Sequence, residues 1–233
     1  MYGLLIVIGI ILGLLISRHF LKERGYYESE YYWRTIFWLV VSGVIGARAY
    51  HVIDYLGYYS QNVHKIPALW EGGLGIYGAL IACLLVLKML NSPKLGRILD
   101  TLALVAPLVQ AIGRLGNYFN QELYGKITNL PWGISISSNN LKYHPLFAYE
   151  AVLNVILFTT LLFLYKRDKY KQGKLVHLYL IGYAAIRFAL EGFRINPWSV
   201  AGLNVAQFIS ILIAGVSYAI YTDIIKTEKP KNN

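Results

Sequence analysis

The sequence predicts an all-α, polytopic membrane protein of about seven transmembrane helices. Three observations predict it. Hydrophobic residues make up 56% of the 233-residue chain and charged residues only 15%, against roughly 45–50% and 25% in a soluble domain; the mean hydropathy is +0.46. Apolar runs close to the ~20 residues that a bilayer requires recur along the chain. Lys and Arg are shared unequally between the alternate loops.

The elements follow in order. The first run, Tyr2–Ile16, extends through Phe20. It has no basic start and no small-residue cleavage site, so it reads as a membrane helix, not as a signal peptide. Gly9 and Gly13 give it a weak G-x-x-x-G packing pattern. The next runs are Ile36–Gly57, Gly72–Leu90, Ile98–Tyr118, Pro145–Tyr165, Leu175–Phe193 and Leu203–Tyr221. There are 21 glycines, as suits membrane helices that approach one another closely. No internal repeat or linker divides the chain. Residues 1–225 therefore read as a single transmembrane domain with an outer loop at about 120–143, and 226–233 as a polar cytoplasmic tail.

Fifteen Lys and Arg fall in the loops of one side and five in those of the other, with Arg48 and Arg187 inside helices. Positive charge stays on the cytoplasmic side. The expected topology has the N-terminus outside, seven crossings and the C-terminus in the cytoplasm. The net charge of +10 then fits anionic headgroups of a lipid bilayer, and no motif argues for a nucleic-acid partner. The single cysteine, Cys83, excludes an internal disulfide and a cysteine metal cluster. It lies in an apolar run, where a thiol is inert.

Four polar clusters interrupt the apolar runs, and charge inside a membrane segment marks a cavity or a partner. The first is Gly113–Gly125, GRLGNYFNQELYG, with Arg114, Asn117, Asn120 and Glu122. Arg114 and Asn117, three apart, share a helix face, and Arg carries a donor fork suited to phosphate; the competing reading is an arginine that snorkels to the interface. In the second cluster Tyr183, Arg187, Glu191 and Arg194 follow at spacings of 4, 4 and 3, one stripe of a helix; a purely structural Arg187–Glu191 pair is the alternative. The third is Arg48, His51 and Tyr55. The fourth is the segment His144–Glu150, in which His144 is either a base or part of a helix start before Pro145. Asp100 lies 14 residues before Arg114, about 20 Å along a helix, and is expected to pair with another helix. Gly73-Leu74-Gly75-Ile76-Tyr77-Gly78 matches the dinucleotide fingerprint only in letters. It follows a loop, not a strand, so the glycines read as packing. Arg48, Arg114, Arg187 and Arg194 all fall in the outer half of the expected topology, which points to an anionic lipid phosphate.

These residues resemble, in order and over nearly the whole chain, the bacterial prolipoprotein diacylglyceryl transferases. The resemblance rests on Gly113-Arg114-Leu115-Gly116-Asn117 with Glu122 and Gly125, and on His144, Pro145, Tyr149 and Glu150. It rests also on Tyr183, Arg187, Glu191 and Arg194, on Tyr2-Gly3, on Gly46-Ala47-Arg48 and on Asp100. The chain begins almost at Tyr2-Gly3, short of the leading segment of longer members, and its outer loop is smaller. The resemblance implies an enzyme of the bacterial cytoplasmic (inner) membrane with its active site facing the outer leaflet. Its substrates would be phosphatidylglycerol and a preprolipoprotein signal peptide with a lipobox cysteine. The diacylglyceryl group would pass to that thiol, forming a thioether and releasing glycerol phosphate, with no cofactor and no metal. Arg114 and Arg187 are the expected phosphate-stabilising residues. Arg48, Asn117, Asn120, Gly125, Tyr183, Glu191 and Arg194 are expected to bind substrate. Some members carry a histidine where this chain has Tyr77, so the base is open among Tyr77, His144 and Glu122, or the arginines stabilise a thiolate without one. Two other readings were weighed. An anion or lipid transporter would need a repeat or broken helices, which the sequence lacks. A catalytically silent lipid-binding relative is suggested only by Tyr77.

Overall fold

The computed structural model describes residues 2–136, 141–167, 172–200 and 203–226. The Ser/Asn stretch 137–140, Lys169 and Lys171 of the basic loop, and the tail after Lys226 lie outside the described residues. The helices are α1 (Tyr2–Glu23), α2 (Ser29–Asp54), α3 (Leu56–Gln61), α4 (Ile76–Leu90), α5 (Leu95–Phe119), α6 (Leu146–Arg167), α7 (Lys174–Glu191) and α8 (Val205–Lys226). All but the short α3 coincide with the predicted runs. Two small antiparallel hairpins sit in loops, β1 (Ile134–Ser135) with β2 (Lys142–Tyr143), and β3 (Ser199–Val200) with β4 (Leu203–Asn204).

Five helices, α1, α2, α5, α6 and α8, are long and apolar enough to cross a membrane, and α4 is a shorter apolar helix. The 18 residues of α7 include Lys174, Arg187 and Glu191, which lowers its hydropathy. Leu4, Ile11 and Leu15 of α1, Leu84 and Met89 of α4, and Ile211 and Val216 of α8 are exposed. Faces this apolar suit hydrocarbon, not water.

Two boundaries differ from the predicted runs for local reasons. Helix α2 begins at Ser29, seven residues before Ile36, because Tyr31, Tyr32 and Trp33 extend it; hydropathy undervalues aromatic residues with a polar edge, yet Tyr32 is buried. Helix α4 begins at Ile76 and not at Gly72, because Gly72 and Gly73 have φ of +81° and +74°, which a right-handed helix excludes.

The chain forms two compact units, residues 1–25 with 97–233, and residues 26–96. In the first, the core gathers Phe20 of α1, Leu104 and Val105 of α5, Leu161 and Tyr165 of α6, and Leu175 of α7. The Gly9/Gly13 pattern sets α1 against α5: a Cβ on Gly13 would stand 2.5 Å from Val109 Cγ2, and one on Gly9 3.4 Å from the Val109 carbonyl oxygen. Ser17 and Thr101 hydroxyls add a buried hydrogen bond of 2.9 Å between the same helices.

Asp100 has the expected interhelical role in a specific form. Its buried carboxylate accepts the backbone N–H of Gly173 at 2.7 Å and of Val176 at 3.1 Å. It thus closes the start of α7, where the helix exposes unpaired N–H groups and the positive end of its dipole. Asp100→Ala is expected to lower stability by about 1–3 kcal/mol. The check is the thermal unfolding midpoint of the detergent-solubilised protein, with Asp100→Asn falling between because it keeps one acceptor.

In the second unit α2 packs on α4 through Gly46 and Gly78. A Cβ on either glycine would overlap the other's carbonyl oxygen. A Cβ on Gly75 would strike the Tyr50 ring. The glycines that imitate a dinucleotide motif therefore serve close helix contact. Cys83 donates to the Leu39 carbonyl of α2 at 3.4 Å, a packing position as expected.

Candidate active site

The C-terminal ends of α5 and α7 and the N-terminal end of α6 carry polar side chains that form one continuous chain of contacts. Glu150 of α6 is its hub, with a side chain 1% exposed. One carboxylate oxygen accepts from Arg114 Nη2 at 2.7 Å and from the Tyr183 hydroxyl at 3.3 Å; the other lies 3.7 Å from Arg187 Nη1. Arg187 Nη2 donates to Glu191 at 2.9 Å, one turn further along α7, and Arg194 Nη1 reaches the same oxygen at 3.3 Å. From Arg114 the chain runs the other way. Arg114 Nη1 donates to Asn117 Oδ1 at 3.2 Å, Asn117 Nδ2 to Glu122 at 3.3 Å, and Asn120 Nδ2 to the second Glu122 oxygen at 3.3 Å.

Helical spacing explains the alignment. Arg114 and Asn117 stand three apart on α5, and Tyr183, Arg187 and Glu191 four apart on α7. Arg194 lies beyond the end of α7 but stays within reach of Glu191. Three arginines face two carboxylates, Glu150 and Glu191, in the directly ion-paired part of this chain. One positive charge is in excess. The Arg114 and Arg187 side chains are 23% and 24% exposed and Arg194 44%. Arg114 Nε is buried with no partner among the described residues. Donor capacity therefore remains for an anion after the internal bonds are made.

Gly125 holds the loop after α5 in place. Its N–H donates to the His144 carbonyl at 2.8 Å, and the neighbouring Lys126 N–H donates to the Phe193 carbonyl at 2.8 Å. A Cβ on Gly125 would stand 2.7 Å from that Phe193 oxygen, so only glycine admits this approach.

His144 stands elsewhere in the same unit. Its Nδ1 is 3.1 Å from the Tyr149 hydroxyl, which accepts from Trp132 Nε1 at 2.8 Å. Together with Leu130, Leu153 and Phe193 these residues line an apolar cavity of about 790 Å³. No bond joins His144 to the arginine chain among the described residues. Arg48 and Tyr77 belong to the other unit. Tyr77 is in the first turn of α4, 40% exposed, with its ring 6.0 Å from that of Tyr50.

The structure thus unites eight of the residues expected at the site: Arg114, Asn117, Asn120, Glu122, Tyr183, Arg187, Glu191 and Arg194. Glu150, which joins the two arginine groups, is the one that sequence reasoning left without a role. The available signal was a carboxylate inside an apolar run, which demands a cationic partner.

The fold and this site define an all-α, multi-pass membrane protein with an arginine–glutamate centre built into its helices. A model of the prolipoprotein diacylglyceryl transferase family matches residues 1–222. The chain is 37% identical over 220 residues to the phosphatidylglycerol–prolipoprotein diacylglyceryl transferase of Finegoldia magna, covering 92% of this chain and 88% of that one. It is 38% identical over 238 residues to the protein of that name from Clostridioides difficile, covering 100% and 92%, and 33% identical over 223 residues to that of Thermosynechococcus vestitus, covering 91% and 83%. The chain belongs to the prolipoprotein diacylglyceryl transferase family, and it is a transferase.

Proposed function

We propose that this chain transfers the diacylglyceryl group of phosphatidylglycerol to the lipobox cysteine of a preprolipoprotein signal peptide. The observation that carries the reading is the Arg114–Glu150–Arg187–Glu191–Arg194 chain with its single excess positive charge. A phosphodiester carries one negative charge and matches it.

In the reaction a bond forms between the cysteine sulfur and the glycerol carbon that bears the phosphate ester. The C–O bond to phosphate breaks, its electron pair stays on the phosphate, and glycerol phosphate leaves. Negative charge grows on the phosphate as the bond breaks. Arg114 and Arg187, already oriented by Glu150, Tyr183 and Glu191, stabilise that charge without reorganising. Arg194 extends the cationic field. Asn117, Asn120 and Glu122 orient the headgroup, and Gly125 keeps their loop seated. The thiol, with a pKa near 8.5, gives its proton to Glu122, His144 or Tyr77, or is stabilised as thiolate by the arginines alone.

The proposed setting is the bacterial inner membrane. Residues 1–225 form one transmembrane domain of seven crossings, α1, α2 and α4 to α8, with the N-terminus and the loop at about 120–143 outside. Residues 226–233 form the cytoplasmic tail, and the site opens to the outer leaflet. The loop distribution of Lys and Arg supports this. Purified protein given phosphatidylglycerol and a lipobox peptide is expected to yield a thioether-linked product and glycerol phosphate. Lipid binding without product, together with failure to complement a strain depleted of its transferase, would leave only the lipid-binding reading.

A further inference from the structure

Arg48 shares the type and the expected half of the membrane with the phosphate-facing arginines, but its surroundings differ in kind. It is 6% exposed. Four of its five N–H groups donate to backbone carbonyls: Nε to Ile66 at 2.7 Å, Nη2 to Lys65 at 2.6 Å, and Nη1 to Gly72 at 2.5 Å and Gly73 at 3.1 Å. The guanidinium also lies 5.3 Å from the Tyr59 ring centroid. Two separate pieces of one loop converge on it. Lys65 and Ile66 end a 3-10 turn, Val63–Lys65, and the carbonyls at the end of a helical turn attract a cation. Gly72 and Gly73 turn their carbonyls inward by adopting positive φ. A Cβ on Gly73 would fall 2.5 Å from the His51 ring and 3.0 Å from Arg48 Nη1.

The loop leads straight into α4. The N–H of Gly75 donates to the carbonyl of Ala47, beside Arg48 on α2, at 2.9 Å. Gly75 fits beneath Tyr50 only because it lacks a Cβ, and Tyr77 follows in the first turn of α4.

We propose that Arg48 is a positioning residue: its guanidinium clamps residues 65–73 and thereby fixes the start of α4 and Tyr77, instead of binding the lipid phosphate. This rests on the transferase reading, but its structural arm does not. Lysine keeps the charge and cannot supply a four-donor planar fork. A phosphate ligand and a carbonyl clamp therefore part company in Arg48→Lys.

Three measurements on the full-length protein in detergent test it. Arg48→Lys is expected to lower kcat about tenfold or more, as far as Arg48→Met does, while KM for phosphatidylglycerol stays within about twofold. Trypsin is expected to cut after Lys65 in both variants and not in the parent. Gly73→Ala, which keeps the arginine but displaces one of its carbonyls, is expected to reproduce both effects, and decides the matter if the Arg48 variants do not fold. A raised KM with unchanged kcat in Arg48→Lys, or a Gly73→Ala protein as active and as protease-resistant as the parent, overturns the clamp. If the parent itself shows no transferase activity, the proteolysis of Lys65 still answers whether Arg48 holds the loop.

Discussion

Glu150→Ala is expected to lower stability by about 3–5 kcal/mol and to abolish turnover, the largest effect of any single substitution in this chain. The stability figure is typical of breaking a buried ion pair from one side. Here one carboxylate serves two arginines, Arg114 at 2.7 Å and Arg187 at 3.7 Å, and accepts the Tyr183 hydroxyl as well. Removing it leaves two partly buried guanidinium groups facing each other across a cavity of lost volume. Glu150→Gln keeps the shape and one acceptor oxygen, so its cost is smaller, but it no longer balances either charge. Thermal unfolding of the detergent-solubilised protein, together with the thioether assay, checks both halves. A Glu150→Ala protein that melts with the parent would show that Glu150 is not the hub. The double variant with Arg114→Gln should cost less than the sum of the single ones, since the two residues act through one contact.

Why Glu150 escaped the sequence reading, while its partners did not, is a matter of what helical spacing can express. Tyr183, Arg187 and Glu191 lie on a single helix, where a spacing of four turns directly into adjacency. Glu150 joins α6 to α5 and α7, and no periodicity within one segment reports which residue of a neighbouring helix it will meet. Asp100 shows the intermediate case. Its place in an apolar run demanded a partner on another helix, and the distance along the helix excluded Arg114. That the partner would be the backbone N–H groups at the start of α7 depended on how α5 and α7 lie together. Arg48 shows the opposite limit. As a letter in an apolar run it is indistinguishable from Arg114, and only the positive φ of Gly72 and Gly73 directs backbone carbonyls toward it. The helices themselves were legible because hydrocarbon imposes a length and a polarity on each crossing. The ends of α2 and α4 were not, because they depend on an aromatic extension and on glycine backbone angles that hydropathy does not weigh.

Arg187→Ala separates catalysis from folding more cleanly than any other variant of the site. Without Arg187, Glu150 still has Arg114 and Glu191 still has Arg194, so neither buried carboxylate is left alone. The directly paired chain then has two arginines and two carboxylates, and its excess positive charge is gone. Stability is therefore expected to fall by much less than in Glu150→Ala, while turnover falls by about 10²–10³, the range found when one preorganised donor to a developing anion is removed. Arg114→Ala is expected to lose at least as much activity, because Arg114 contributes both the excess charge and the buried, unpartnered Nε. Lysine at either position restores the charge but not the planar pair of donors, and should recover little. Arg194→Ala should lose least of the three, since water already screens a side chain that is 44% exposed. The ranking is read from kcat with phosphatidylglycerol and a lipobox peptide, beside the unfolding midpoint of each variant. Normal turnover in Arg114→Ala, or losses in Arg187→Ala that merely track unfolding, would remove the arginines from the reaction and leave them as structural pairs of the three helices.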